Sequence, residues 1–170
     1  LAEPGETRGA RIALGLDPDL EYVGTISSLV PYEGLETVVE AAALLMPERP
    51  KLRLLIVGDG TALPNIIATA RKLGIADRLI TPGRVDREQS HLYHQALDIF
   101  VVPRLSTKVT RMVTPMKSVE ASASAKPVIA SDLPALSELV NHEKTGLLVP
   151  AEDTGAWADA INGLLDNPAQ

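Results

Sequence analysis

The 170-residue chain contains no cysteine, which excludes a disulfide framework and any thiolate metal site. Long apolar runs are missing too. The stretch from Leu52 to Val57 is among the longest and is far too short to span a bilayer, and the first residues show no secretory signal pattern. A cytoplasmic protein is the expectation. Positive charge is scarce: 16 Lys and Arg stand against 22 Asp and Glu, a net charge of −6. General nucleic-acid binding needs a basic face to neutralise phosphates and is therefore excluded, so any anion site must be local. Histidine numbers only three. His91 and His94, at i and i+3 with Glu88 near them, have no other histidine but His142 to complete a metal site, and none is expected. No initiator methionine is present either: the chain opens on Leu1, and its first ten residues, LAEPGETRGA, are linker-like in composition. A fragment of a longer protein is the expectation, with residues 1–19 a linker or the start of a domain and residues 20–170 one domain. The length and a 45% hydrophobic content supply a core for one domain and not for two.

What is present alternates. Glu21 to Ile26 reads as a strand, after which Leu35, Val38, Val39, Ala42, Leu45 and Met46 recur at helical spacing. Leu52 to Val57, apolar but for Arg53, reads as a strand buried on both faces of a parallel sheet. It ends in Gly58-Asp59-Gly60, with Thr61 placed to cap a helix carrying Leu63, Ile66, Ile67, Ala70 and Leu73, stopped by Gly74. Strands near Arg78 to Ile80, Asp98 to Val102 and Pro127 to Ala130 follow, alternating with helices near Asp86 to Ala96 and Pro115 to Ser124. A short helix near Ala135 to Val140, an apolar Leu147 to Val149 and a last helix capped by Asp153, with Trp157, Ile161 and Leu164 inward, complete the chain. No internal repeat or low-complexity tract interrupts it. The order predicts an α/β, Rossmann-like, doubly wound parallel sheet of about six strands with helices on both faces. Ligands of such sheets sit beyond the carboxyl ends of the strands. The functional rim is then the loops at Ser27 to Glu33, Gly58 to Gly60, Gly83 to Asp86 and Pro103 to Pro115.

One of these loops is chemically distinctive. Between Arg104 and Lys117 stand four cations, Arg104, Lys108, Arg111 and Lys117, and no acid. A helix starting near Thr114-Pro115 would add free N–H groups and a positive dipole end, and together these form a ready phosphate site. Glu120, one to two turns further, is placed to accept hydrogen bonds from hydroxyls attached to the phosphates, as on a ribose. On spacing alone, a solvated basic loop beside a surface glutamate explains the pattern equally well.

The segments GLETVVEAAALL, LRLLIVGDG, LGIADRLITPGRV, HQALDIFVVPR, VEASASAKPVIASD and ELVNHEKTGLLVPAEDTGAWADAINGLL, in this order and spacing over residues 20 to 165, resemble the C-terminal, donor-binding half of GT-B glycosyltransferases of family 4, the group 1 transferases. The resemblance implies transfer of a sugar from a UDP- or GDP-sugar to an acceptor hydroxyl, with retention at the anomeric carbon and no obligatory metal or other cofactor. The donor is bound here, while an acceptor glycan or lipid is held through an N-terminal domain missing from this chain. Peripheral membrane association of the full-length enzyme has room in this picture, and the fragment alone would be inactive. Family members carry two glutamates eight positions apart; the second matches Glu120, the first falls on Met112. The cations of the family's first loop fall on Ser28 and Glu33. Arg111 and Lys117 are the replacements that charge requires, and are the catalytic candidates. Glu120, Thr114, Met116, Arg84, Val85, Ser28, Gly58, Gly60 and Arg104 are the donor-binding candidates. Gly83-Arg84-Val85 resembles the segment that receives the nucleobase, and Arg84 is within reach of a phosphate. Gly58 and Gly60 either let backbone approach a ligand or merely form a turn. Ala121, Ala123 and Ala125 occupy the family's small-residue segment, the last replacing a glycine.

Two rivals remain at this level. Loss of polar groups at Met112 and Ser28 leaves open a non-catalytic nucleotide-binding domain with a regulatory or assembly role. A dinucleotide oxidoreductase is disfavoured because VGTISS, not G-x-G-x-x-G, follows the first strand.

Overall fold

The computed structural model describes residues 4–105, 126–133 and 146–166. Its elements are α1 (Pro4–Ala13), β1 (Glu21–Ile26), α2 (Leu35–Leu45), β2 (Leu52–Val57), α3 (Leu63–Lys72), β3 (Leu79–Ile80), α4 (Arg87–Ala96), β4 (Ile99–Val102), β5 (Val128–Ser131), β6 (Gly146–Val149) and α5 (Thr154–Asp166). Short 3-10 turns at Pro31–Glu33 and Ala76–Arg78 precede α2 and β3. The six strands form one sheet in the order β3-β2-β1-β4-β5-β6, and every pairing is parallel. This is the expected doubly wound architecture. The expected helices near Pro115–Ser124 and Ala135–Val140 lie outside the described residues.

Side chains alternate across the pleat and divide the core into two layers. Val23, Leu54, Ile56, Ile99, Val101 and Ile129 face the apolar stripes of α2, α3 and α5, including Val38, Ile66, Trp157 and Ile161. Tyr22, Ile26, Leu55, Val57, Phe100, Val102 and Val128 face the other way, where Tyr93 and Leu97 close the layer. Covering both faces is what allows β4 to be apolar at every position.

Helix ends follow local chemistry. Asp86 caps α4, its side chain accepting from the Gln89 N–H at 2.8 Å. Asp153 heads α5 by accepting from Ala156 N–H at 3.0 Å, and Trp157 is fully buried below it. α3 ends in Arg71 and Lys72, which complement its dipole, and Gly74 at φ +78° turns the chain away. Its start differs from expectation. The cap position is Ala62, not Thr61, without a side-chain hydrogen bond; the Ala62 N–H instead donates to the Leu29 carbonyl at 2.9 Å. A tertiary backbone contact takes the place of a hydroxyl cap.

From Pro4 on, the linker-like stretch is helical and continues to Ala13 as α1. Its Arg11 is buried at 6% exposure, donates to the carbonyls of Ala96 (2.8 Å), Pro18 and Leu20 (both 3.1 Å), pairs with Asp98 at 2.9 Å and lies 4.7 Å over the Tyr22 ring. Asp98 in turn accepts from the Tyr22 N–H at 2.8 Å. One guanidinium thus fastens α1 to α4 and to the lower ends of β1 and β4. Among the described residues, no helix is long and apolar enough to cross a membrane.

Candidate functional site

The chain winds outward from β1 through β2 to β3, then returns to place β4 on the other side of β1. Strand order reverses between β1 and β4, so the crevice above their carboxyl ends is where a ligand fits. Beside it is a cleft of about 380 Å³. Ile26, Ser27 and Ser28 contribute from the end of β1, Val57 to Gly60 from the end of β2, Arg84 and Val85 from the loop after β3, and Ser90 from α4.

Backbone hydrogen bonds hold these loops together. The Ser27 N–H donates to the Val57 carbonyl, Gly58 N–H to the Gly83 carbonyl and Leu29 N–H to the Asp59 carbonyl, each at 3.0 Å. Gly58 and Gly60 are required by this closeness. A Cβ on Gly58 would lie 1.9 Å from the Ser27 carbonyl oxygen, and one on Gly60 2.2 Å from that of Leu29, with φ at +132° and +158°. Both glycines line the cleft, yet the backbone they accommodate is the protein's own. Asp59 Oδ1 accepts from the Gly60 N–H at 2.8 Å. Ser27 Oγ is buried without a hydrogen-bond partner. Arg84 and Ser28 are exposed, while Val85 packs its side chain on the layer beneath. The cleft has preset walls, hydroxyls and one cation, which suits recognition of a polar ligand.

A second group lies across the reversal point. Arg104 is buried at 7% exposure; its Nη2 donates to Glu33 Oε1 at 3.2 Å, and its guanidinium lies 5.6 Å from the Tyr32 ring centre. The Leu105 N–H donates to the Tyr32 carbonyl at 2.9 Å. Gly34, at φ +68°, leaves room for the Pro103 carbonyl, which a Cβ would approach to 2.1 Å. The loop after β1 is thereby strapped to the exit of β4.

The structure thus brings Ser28, Gly58, Gly60, Arg84 and Val85 to one cleft. Arg104 is not among its lining residues and is engaged by Glu33 instead of standing among unopposed cations. Lys117, Arg111, Glu120, Thr114 and Met116 lie outside the described residues. Sequence reasoning did not single out Ser27, Asp59 or Ser90. Ser27 directly follows β1 and Asp59 is the second residue past β2, so strand-end position was the signal available for them; nothing in the sequence marks Ser90. His94 is buried and stacked on Phe100, ring centres 5.3 Å apart at 13°, whereas His91 is exposed.

Residues 8–170 match the family described as glycosyl transferases group 1. The chain is 35% identical over 169 residues to D-inositol 3-phosphate glycosyltransferase from Nocardia farcinica, covering 95% of this chain and 36% of that protein. Its fold is similar to sucrose-phosphate synthase from Thermosynechococcus elongatus, with a TM-score of 0.83 and 32% identity over 94% of this chain and 40% of that one. It is similar in fold also to HepE from Anabaena, solved with UDP and glucose, with a TM-score of 0.84 and 23% identity over 98% and 44% of the two chains. The chain spans less than half the length of each of these relatives.

Proposed function

The chain belongs to the group 1 glycosyl transferases, and we propose that it is the donor-binding half of an enzyme that moves a sugar from a UDP- or GDP-sugar to an acceptor hydroxyl with retention. The observation that carries this reading is the cleft at the strand ends, where five residues expected to meet a donor line one polar wall system. The nucleobase lies against Gly83, Arg84 and Val85. The ribose and diphosphate extend past the tips of β2 and β1 towards the reversal point. Glu120 takes the ribose hydroxyls, and Thr114 and Met116 also contribute to donor binding. Lys117 and Arg111 meet the charge that develops on the leaving diphosphate as the anomeric bond breaks; such fixed electrostatic complementarity is commonly the largest catalytic contribution. No metal or organic cofactor enters this reading. The acceptor, a glycan or lipid, and the base for its hydroxyl belong to a further domain. The full-length enzyme is cytoplasmic in this reading, with room for peripheral attachment to a membrane.

Calorimetry with UDP, GDP and pyrophosphate tests the assignment. Lys117→Ala should weaken nucleoside-diphosphate binding by about 1.5 to 3 kcal/mol, the size of a charge-assisted hydrogen bond, and rising salt should erode that effect. Glu120→Gln should weaken UDP or GDP binding while leaving pyrophosphate nearly unchanged. Unaltered affinities in both variants would sink the assignment.

A further inference from the structure

The chain has five aromatic residues, and four are committed to the core: Trp157, Phe100 and Tyr22 are at most 1% exposed and Tyr93 is at 8%. Tyr32 alone is exposed, at 39%, and it stands on the rim, on the same loop that supplies Ser27 and Ser28 to the cleft. Its position is fixed from below. The Arg104 guanidinium lies 5.6 Å from its ring centre, Glu33 holds that guanidinium at 3.2 Å, and the Leu105 N–H holds its carbonyl. An aromatic ring braced on a buried, charge-balanced pair is a preorganised platform, because little side-chain freedom remains to be lost on binding.

Its place in the sheet order defines what meets it. Along the rim the sequence of walls is β3, β2, β1, then the β1–β4 reversal, so a ligand with its base beside Arg84 and Val85 extends its far end towards Tyr32. Resting on the donor reading above, we propose that Tyr32 is a specificity-determining residue that stacks on the glycosyl ring of the donor. The apolar C–H face of a pyranose suits the negative face of an aromatic ring, and Arg104, neutralised by Glu33, backs the ring without presenting a net charge to the sugar.

The test compares two pairs of probes on this chain, UDP with UDP-glucose and GDP with GDP-mannose, by calorimetry. In whichever pair binds, Tyr32→Ala and Tyr32→Leu should lower the affinity for the nucleotide sugar by about three- to tenfold relative to the plain nucleotide, the range of an aromatic stacking contact. Tyr32→Phe should keep the wild-type ratio. A role confined to packing Arg104 would shift thermal unfolding in the Ala and Leu variants while leaving the ratio alone, and that result overturns the proposal while the donor reading stands. Binding of neither nucleotide by the wild type overturns both.

Discussion

Replacing Gly58 by alanine asks whether the floor of the cleft is set by the protein's own backbone. Gly58 has φ +132°, and a Cβ there would lie 1.9 Å from the Ser27 carbonyl oxygen and 3.1 Å from its carbon. Two costs add. Holding a non-glycine residue in so sparsely populated a conformation costs about 1–3 kcal/mol. Relieving the contact also requires the Ser27 carbonyl to retreat by about 1 Å, at the point where the Ser27 N–H donates to Val57; weakening that bond costs about 1 kcal/mol more. The sum, about 3 kcal/mol, is a large part of the roughly 5–15 kcal/mol that holds a domain folded. Gly83 provides the control. It has φ +88°, but nothing lies within 4 Å of the place its Cβ would take, so Gly83→Ala should cost only the conformational term, about 1–2 kcal/mol. Urea unfolding of the wild type and both variants measures the difference. If Gly58→Ala destabilises no more than Gly83→Ala, the close approach of the β1 and β2 loops does not hold.

Two further outcomes concern the underside of the sheet. Arg11→Met should destabilise by about 3 kcal/mol in urea unfolding, because it strands Asp98 and three carbonyls that the guanidinium now satisfies; a cost near zero would mean that α1 does not depend on this anchor. Lys126 is buried, donates to Thr7 Oγ at 2.7 Å, and has its pKa pushed below the ordinary 10.5 by burial, with Asp98 pulling the other way. The unfolded chain therefore holds this proton more tightly than the native one, and stability should rise with pH through the interval between the native pKa and 10.5. Lys126→Met removes that contribution, so parallel stability curves for variant and wild type across the interval would count against it.

The elements that were legible in the sequence are those whose signal is local. β1 and β2 occupy the expected residues; the signal is clearest for β2, where only Arg53 interrupts the apolar residues, as suits a strand covered on both faces. α5 was legible from its Asp153 cap and inward Trp157. By contrast α1 contains Pro4, Gly5 and Gly9, a poor helix composition, and is held by tertiary bonds from Arg11 that no local pattern announces. The site divides in the same way. Strand ends identified the loops, which include Gly58 and Gly60, while within them Ser28, Arg84 and Val85 were singled out by the family resemblance. Arg104 read as one of a run of unopposed cations because Glu33, its partner, is 71 positions away in sequence. Gly58 and Gly60 stayed open between a ligand approach and a plain turn, because the carbonyls they accommodate come from a different loop.

The charge arrangement of the rim follows from these pairings. Among the described residues that line the cleft, Arg84 is the one cation and Asp59 the one acid, so this wall carries no surplus positive charge. Arg104 adds none, since Glu33 balances it at 3.2 Å in a largely buried pair, and Coulomb attraction to a more distant phosphate would compete poorly with a carboxylate already in contact. The resemblance places Glu33 where related chains carry a cation, and the ion pair gives that exchange a physical consequence: the loop after β1 contributes rigidity and a braced aromatic ring instead of charge. Walls of this kind orient a base, a ribose or a sugar through shape, hydroxyls and backbone groups, but they do not neutralise a diphosphate. In the donor reading the neutralising charge must then come from elsewhere, and Lys108, Arg111 and Lys117 are the candidates in this chain.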